Sequence, residues 1–147
     1  MSDSKAVGLK LWVVLARAFA ALEQRATEDV ARHGLTLAEF AVLEALYHKG
    51  PLLLGEVQRK VLVSSGGVTY LVDRLEERAL VRRKLCPEDR RARYAELTES
   101  GVQLMDRIFP EHAACIRDAV SVLSAADQKE AIRLLKSIGV HAAQQTA

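Results

Sequence analysis

Basic side chains held close together are the residues of this sequence with the most scope for chemistry. Arg82, Arg83, Lys84, Arg90, Arg91 and Arg93 fall within residues 82–93, against only two acids there, Glu88 and Asp89. The formal net charge of the whole chain is +2, too small to argue by itself for a nucleic-acid partner. The distribution says more, because a local positive ridge on a nearly neutral protein is a directed surface. An arginine at the tip of a projecting two-stranded loop can enter a DNA minor groove, where the potential is most negative over narrow A·T-rich steps. A neighbouring carboxylate such as Asp89 can fix its orientation. Taken alone, the run reads as a solvated charged loop. Upstream, Ser64, Ser65 and Thr69 sit near a candidate helix start. Their hydroxyls can donate to phosphates beside free backbone amides, where the helix dipole also favours an anion.

Other chemistry is poorly supplied. Cys86 lies between Lys84 and the Arg90-Arg91 pair, cations that would stabilise a thiolate and open a redox role, with a tolerated surface thiol as the plain alternative. Cys115 is expected to be a small core residue of a packing helix. His33, His48, His112 and His141 are widely separated, and no two form an i, i+4 pair beside a carboxylate or thiol, so neither a metal site nor a cofactor is expected. No G-x-S-x-G elbow, Walker loop or strand-bound glycine fingerprint occurs, and no nucleophile stands with a base, so catalytic residues are expected to be absent.

The elements that must position the basic ridge can be read from periodicity. Val7, Leu11, Val14, Leu15, Ala18, Leu22, Ala26 and Val30 follow the spacing of one helical stripe over residues 5–33, which Gly34 is suited to end. Thr36 and Glu39 read as a capping box opening a second helix that runs to Lys49 and buries Phe40, Leu43 and Tyr47. Gly50-Pro51 breaks the chain before a short helix over 54–62. A turn at Ser64-Ser65-Gly66-Gly67 then leads into a helix whose packed face is Val68, Leu71, Val72, Leu75 and Ala79, leaving Ser65, Thr69, Tyr70, Asp73 and Arg74 on the other side. Two helices joined by a short glycine-containing turn can lay the second in a major groove, although an ordinary helical hairpin shares the pattern. Residues 81–85 and 93–97 are too short for globular helices and read as a β-hairpin with its tip at 86–92. Thr98 is expected to cap a long helix reaching Val122, and Ser124 with Asp127 opens a last one carrying Ile132, Leu134, Leu135 and Ile138.

At 147 residues, 50% hydrophobic and 27% charged, the chain has the profile of one folded domain, residues 1–147, able to bury its own core without disulfides or metal. Two unclustered cysteines and a polar start point to a reducing compartment, with the cytoplasm as the expected location. No uninterrupted apolar stretch reaches the length of a membrane span. The first helix and the last two carry more apolar surface than the lobe over 36–98 can cover, and a second copy of the chain is the natural cover.

The run Leu71-Val-Asp-Arg-Leu-Glu, then Asp89-Arg90-Arg91, then Leu97-Thr98-Glu-Ser-Gly101 resembles the MarR family of winged-helix regulators, and the resemblance spans nearly the whole chain. It implies a mainly α fold with a small β-hairpin wing: a winged helix-turn-helix at 36–98, flanked by dimerisation helices at 5–33 and 99–142. It further implies a homodimer on a pseudo-palindromic duplex, acting as a repressor relieved by a small ligand or by oxidation. In that frame Arg90 and Arg91 are the wing contacts with Asp89 orienting them, and Ser64, Ser65, Thr69, Tyr70 and Arg74 lie on or beside the recognition face. The stretch 88–112 is also similar to members that respond to quinones and other phenolics.

A pocket for a small aromatic effector is expected where the dimer helices meet the DNA-binding lobe, with Trp12, Phe19, Phe40, Tyr47, Met105, Phe109 and His112 as the large or polar-tipped side chains able to line it. Aromatic residues at helical spacing are also the stuff of an ordinary core. A winged-helix module used only for protein contacts is the alternative reading, its basic hairpin then meeting an acidic partner.

Overall fold

Two helix ends of the same design frame the middle of the chain. In the computed structural model, which describes residues 3–61 and 65–145, helix α1 (Asp3–Ala31) closes when the Gly34 amide donates to Ala31 O and the Leu35 amide to Val30 O, with Gly34 at a left-handed φ of 73°. These are the paired bonds of a Schellman closure, and glycine meets its φ without a Cβ clash. Thr36 then caps α2 (Leu37–Lys49): its hydroxyl accepts from the Glu39 amide at 3.1 Å while its own amide donates to Glu39 Oε1 at 2.9 Å. Phe40, Val42, Leu43 and Leu46 of α2 are buried, whereas Tyr47, expected to be buried, is half-exposed at the edge of the core.

Gly50-Pro51 does break the chain, but into a strand that the periodicity did not indicate, β1 (Leu52–Leu53), before α3 (Leu54–Val61). Two residues are too few to show alternation, so β1 is fixed by its partner rather than by its own pattern. Helix α4 (Ser65–Glu77) starts earlier than expected. Ser65, Gly66 and Gly67 form its first turn instead of a preceding loop, and Ser64 lies outside the described residues. Val68, Leu71, Val72 and Leu75 pack as expected. Ala79 does not: it is exposed, and its φ of 58° makes it the left-handed residue of a second Schellman closure, with its amide on Glu76 O and the Leu80 amide on Leu75 O.

Strands β2 (Val81–Cys86) and β3 (Asp89–Leu97) form the hairpin, and β3 also pairs with β1, giving an antiparallel sheet in the order β1-β3-β2. The loop expected over 86–92 is tighter at its very end, a turn at Pro87-Glu88, and irregular behind it. Leu85 pairs with Arg93 but Cys86 pairs with Asp89, so Arg90, Arg91 and Ala92 have no partners across the ladder. Such a bulge bends the strand and re-aims its side chains.

Thr98 caps α5 (Glu99–Ala119), its Oγ1 accepting from the Gly101 amide at 3.0 Å, and the helix stops before the expected Val122. The same hydroxyl donates to Ala79 O at 2.6 Å and the Thr98 amide donates to Leu80 O at 3.0 Å, so the end of α4, the foot of the wing and the start of α5 share one junction. A Cβ on Gly101 would stand 2.2 Å from Leu80 O, which is why this close approach requires glycine. After α5, Ser124 accepts from the Asp127 amide to open α6 (Ala125–Gln145). The core lies between α2, α3, α4, the sheet and the first half of α5, with Met105 and Ile108 completing it.

The two ends of the chain contribute little to that core. Helix α1 buries only Ala26, Asp29 and Val30, and α6 buries none of its residues. The stripe from Val7 to Val14 therefore runs through solvent, as do Ile132, Leu134, Leu135 and Ile138. No helix among the described residues is long and apolar enough to cross a membrane.

Candidate nucleic-acid interface

Helix α4 turns its outer face away from the core because its apolar residues recur at three- and four-residue steps. Thr69, Tyr70, Asp73 and Arg74 are exposed along that face. The side chains of Ser64 and Ser65, expected beside phosphate, lie outside the described residues. Arg74 is not a free cation. Its Nε stands 3.5 Å from Glu39 Oε2 on α2, and its Nη1 lies 3.4 Å from the Tyr70 hydroxyl, with the guanidinium carbon 5.7 Å from the centre of the Tyr70 ring. Burial works against ionisation of Glu39, yet the bonds from Thr36 and the Arg74 charge hold its carboxyl below the usual range.

The wing is welded to α4 at its root. Arg83 reaches Asp73 at 2.8 Å and also pairs with Glu76, whose carboxylate accepts the Arg83 amide. On β3, Glu96 takes both Arg82 at 2.6 Å and Lys84 at 2.9 Å, and these two bonds hold its carboxyl below the usual range. The positive ridge is thus half neutralised from within. Arg93 donates to the carbonyls of Arg90 and Ala92. Among the described residues, Arg90 and Arg91 have no acidic partner, and both are exposed on the unpaired bulge. Asp89 orients this segment through the main chain, not through a guanidinium: its Oδ1 accepts the Arg91 amide at 2.9 Å, an Asx turn. The arrangement joins an exposed helix face, of a size a major groove can admit, to two exposed arginines without an acidic partner among the described residues.

Sequence reasoning missed two contributors. Arg59 of α3 lines a groove of roughly 320 Å³ together with Arg91, Arg93, Leu53, Leu54 and Glu56. Its only sequence signal was a basic pair, Arg59-Lys60, ahead of the turn. Glu39 was legible as a cap, but nothing in its spacing tells that its second oxygen faces Arg74.

Cys86 is buried, which overturns the surface-thiol expectation. Alternation along β2 turns it from the side taken by exposed Leu85, and its closeness, with burial and the nearby Glu88 and Glu56 carboxylates, raises the Tyr94 phenol above its ordinary value. Cys115 is half-buried on α5 rather than a core residue.

The aromatic candidates for an effector site divide. Phe40 and Met105 are core. Phe109 and His112, with Glu44, Ala113, Ile116 and Arg117, line an open groove of roughly 570 Å³ between α2 and α5. Tyr47 is not part of that lining: it faces a separate groove with Pro51, Glu96 and Leu97, its ring 5.9 Å from Phe109 and its hydroxyl donating to Asp106 at 2.5 Å, a bond that raises its pKa. Trp12 and Phe19 line none of it and stand 68% and 62% exposed on α1. Among the described residues no group of three or more His, Cys, Asp or Glu is placed to hold a metal ion.

Comparison with known proteins places this geometry. A family model described as the MarR family matches residues 33–92. The chain is 44% identical over 136 residues to the HTH-type transcriptional regulator MhqR of Bacillus subtilis, covering 92% of this chain and 94% of that protein. A Streptomyces coelicolor MarR-family regulator solved in complex with DNA superposes with a TM-score of 0.85 at 25% identity, covering 91% of this chain and 86% of that one. BpsR of Bordetella bronchiseptica, whose DNA binding is regulated by 6-hydroxynicotinic acid, superposes with a TM-score of 0.79 at 25% identity, covering 88% and 98%.

Proposed function

The chain belongs to the MarR family of DNA-binding transcriptional regulators, and from that premise we propose that it is a homodimeric cytoplasmic repressor that leaves its operator when a small aromatic ligand binds. The observation that carries the DNA half of this reading is the contrast within the ridge: Arg82, Arg83 and Lys84 are paired internally while Arg90 and Arg91 are held out uncommitted. Thr69, Tyr70 and Arg74 of α4 read base edges, with Ser64 and Ser65 at the phosphates, and Arg90 and Arg91 follow the minor groove. Two-fold symmetry then sets two half-sites about one helical turn apart.

The groove between α2 and α5 is the effector site. Its lining of Phe109, Ile116 and Ala113 together with the polar His112, Glu44 and Arg117 suits a planar ring bearing a hydroxyl or carboxylate. The regulation of BpsR by 6-hydroxynicotinic acid supports that class. A ligand that prefers the dimer with wrongly spaced lobes shifts the population by no more than its differential affinity.

Selection of bound duplexes from a random DNA pool at physiological salt tests the reading. It should enrich an inverted repeat. On that repeat, Arg90→Ala and Arg91→Ala should each lower the salt slope of binding by about one. Unchanged affinity and slope in both variants would remove the wing from the interface.

A further inference from the structure

Glu39 holds an unusual position for a capping residue. It is 2% exposed, and its capping bonds with Thr36 use Oε1 alone. Oε2 is buried with no hydrogen-bond partner among the described residues, and the cation it faces is Arg74, 3.5 Å away. A buried carboxylate oxygen without a full partner pulls strongly on a nearby cation, because little water intervenes to screen it. Arg74 in turn meets the Tyr70 hydroxyl and ring face. The line from Thr36 through Glu39 and Arg74 to Tyr70 thus runs from the start of α2 to the exposed face of α4.

We propose that Glu39 is the positioning residue that fixes Arg74 and Tyr70 in one arrangement before DNA arrives, and so sets base preference without touching DNA. The inference rests on the reading of α4 as the recognition helix. An arginine loose on a helix surface must surrender rotamer freedom to make a bidentate base contact, and a tethered one has surrendered part already. With Nε turned to Glu39 and Nη1 to Tyr70, the outer N–H groups of Arg74 remain for a guanine edge, the best match for a guanidinium in a major groove.

The test compares wild type, Glu39→Gln and Tyr70→Phe, each as full-length protein, on the selected operator and on bulk duplex. Glutamine keeps the capping bonds, since it serves at that position as glutamate does. The variant is one charge more positive, so electrostatics alone would tighten binding to all DNA. A positioning role gives the opposite on the operator: about a tenfold loss, the size of one lost base contact, with bulk affinity unchanged or higher. Tyr70→Phe, a surface change, should relax preference at the same base pair in a repeated selection. Operator and bulk affinity rising together would make Glu39 a bystander and overturn the proposal. Both falling in step with the melting temperature would make it only a cap and overturn it equally. A wild type that selects no sequence would overturn the interface reading itself, whereas a selecting wild type matched by Glu39→Gln overturns this inference alone.

Discussion

Asp29 is 4% exposed and keeps its charge through two bonds, to Arg32 at 2.5 Å and to His112 Nδ1 at 3.1 Å. Burial alone would raise its pKa. The bonds from Arg32 and His112 outweigh burial, leaving the carboxyl below its ordinary value. A depressed folded-state pKa means stability that is complete at neutral pH and is lost as pH falls through that depressed value, beneath the ordinary carboxylate range. Asp29→Asn is therefore expected to cost about 2 kcal/mol at neutral pH and to flatten the acid limb of stability, as measured by denaturant unfolding from neutral to strongly acidic pH. Equal limbs in both proteins would place the acid sensitivity elsewhere. Nothing in the sequence marks Asp29, because its partners lie on another turn and another helix. The exposure of Arg90 and Arg91 at the end of the wing was legible for the opposite reason: proline and two acids beside paired arginines are a local signal. Cys86 was misread because nearby cations in sequence say nothing about which face of a strand a side chain takes.

At the scale of elements, the strongly periodic helices and their caps are legible in the amino-acid order itself, since Thr36, Thr98 and Ser124 each act through residues three positions on. The hairpin was visible as an element, but its bulge was not, because register depends on the partner strand. Strand β1 was hidden for the same reason, and the end of α4 was placed wrongly because Ala79 continues the apolar spacing while its backbone leaves the helix. The junction of α4, wing and α5 yields a prediction at this scale. Gly101→Ala puts a methyl against the Leu80 carbonyl, a main-chain group that cannot swing aside. It is expected to lose about 2–3 kcal/mol in equilibrium unfolding. A loss within about 0.5 kcal/mol, the range of an ordinary surface substitution, would show that the junction opens without strain.

For the whole molecule, the decisive feature is the pair of apolar stretches left uncovered on α1 and α6. Light scattering is expected to give twice the 16.2 kDa chain mass. Leu135→Asp, repeated on both protomers, is expected to raise the dissociation constant at least about a hundredfold, from about 1.5 kcal/mol lost at each copy. A wild type that stays monomeric at micromolar concentration would assign those faces to another partner. The junction at Thr98 has a mechanical consequence as well. Because Leu80 and Ala79 are tied to the cap of α5 and Arg83 braces the hairpin against α4, a tilt of α5 would carry helix and wing together. Six strand residues at about 3.3 Å each put the arm's end roughly 20 Å from its pivot. A tilt of about 10° then sweeps the tip by about 3–4 Å, enough to carry a hydrogen-bonding arginine out of reach of its acceptor. Gearing of this kind turns a small rotation of α5 into a larger displacement at the end of the wing.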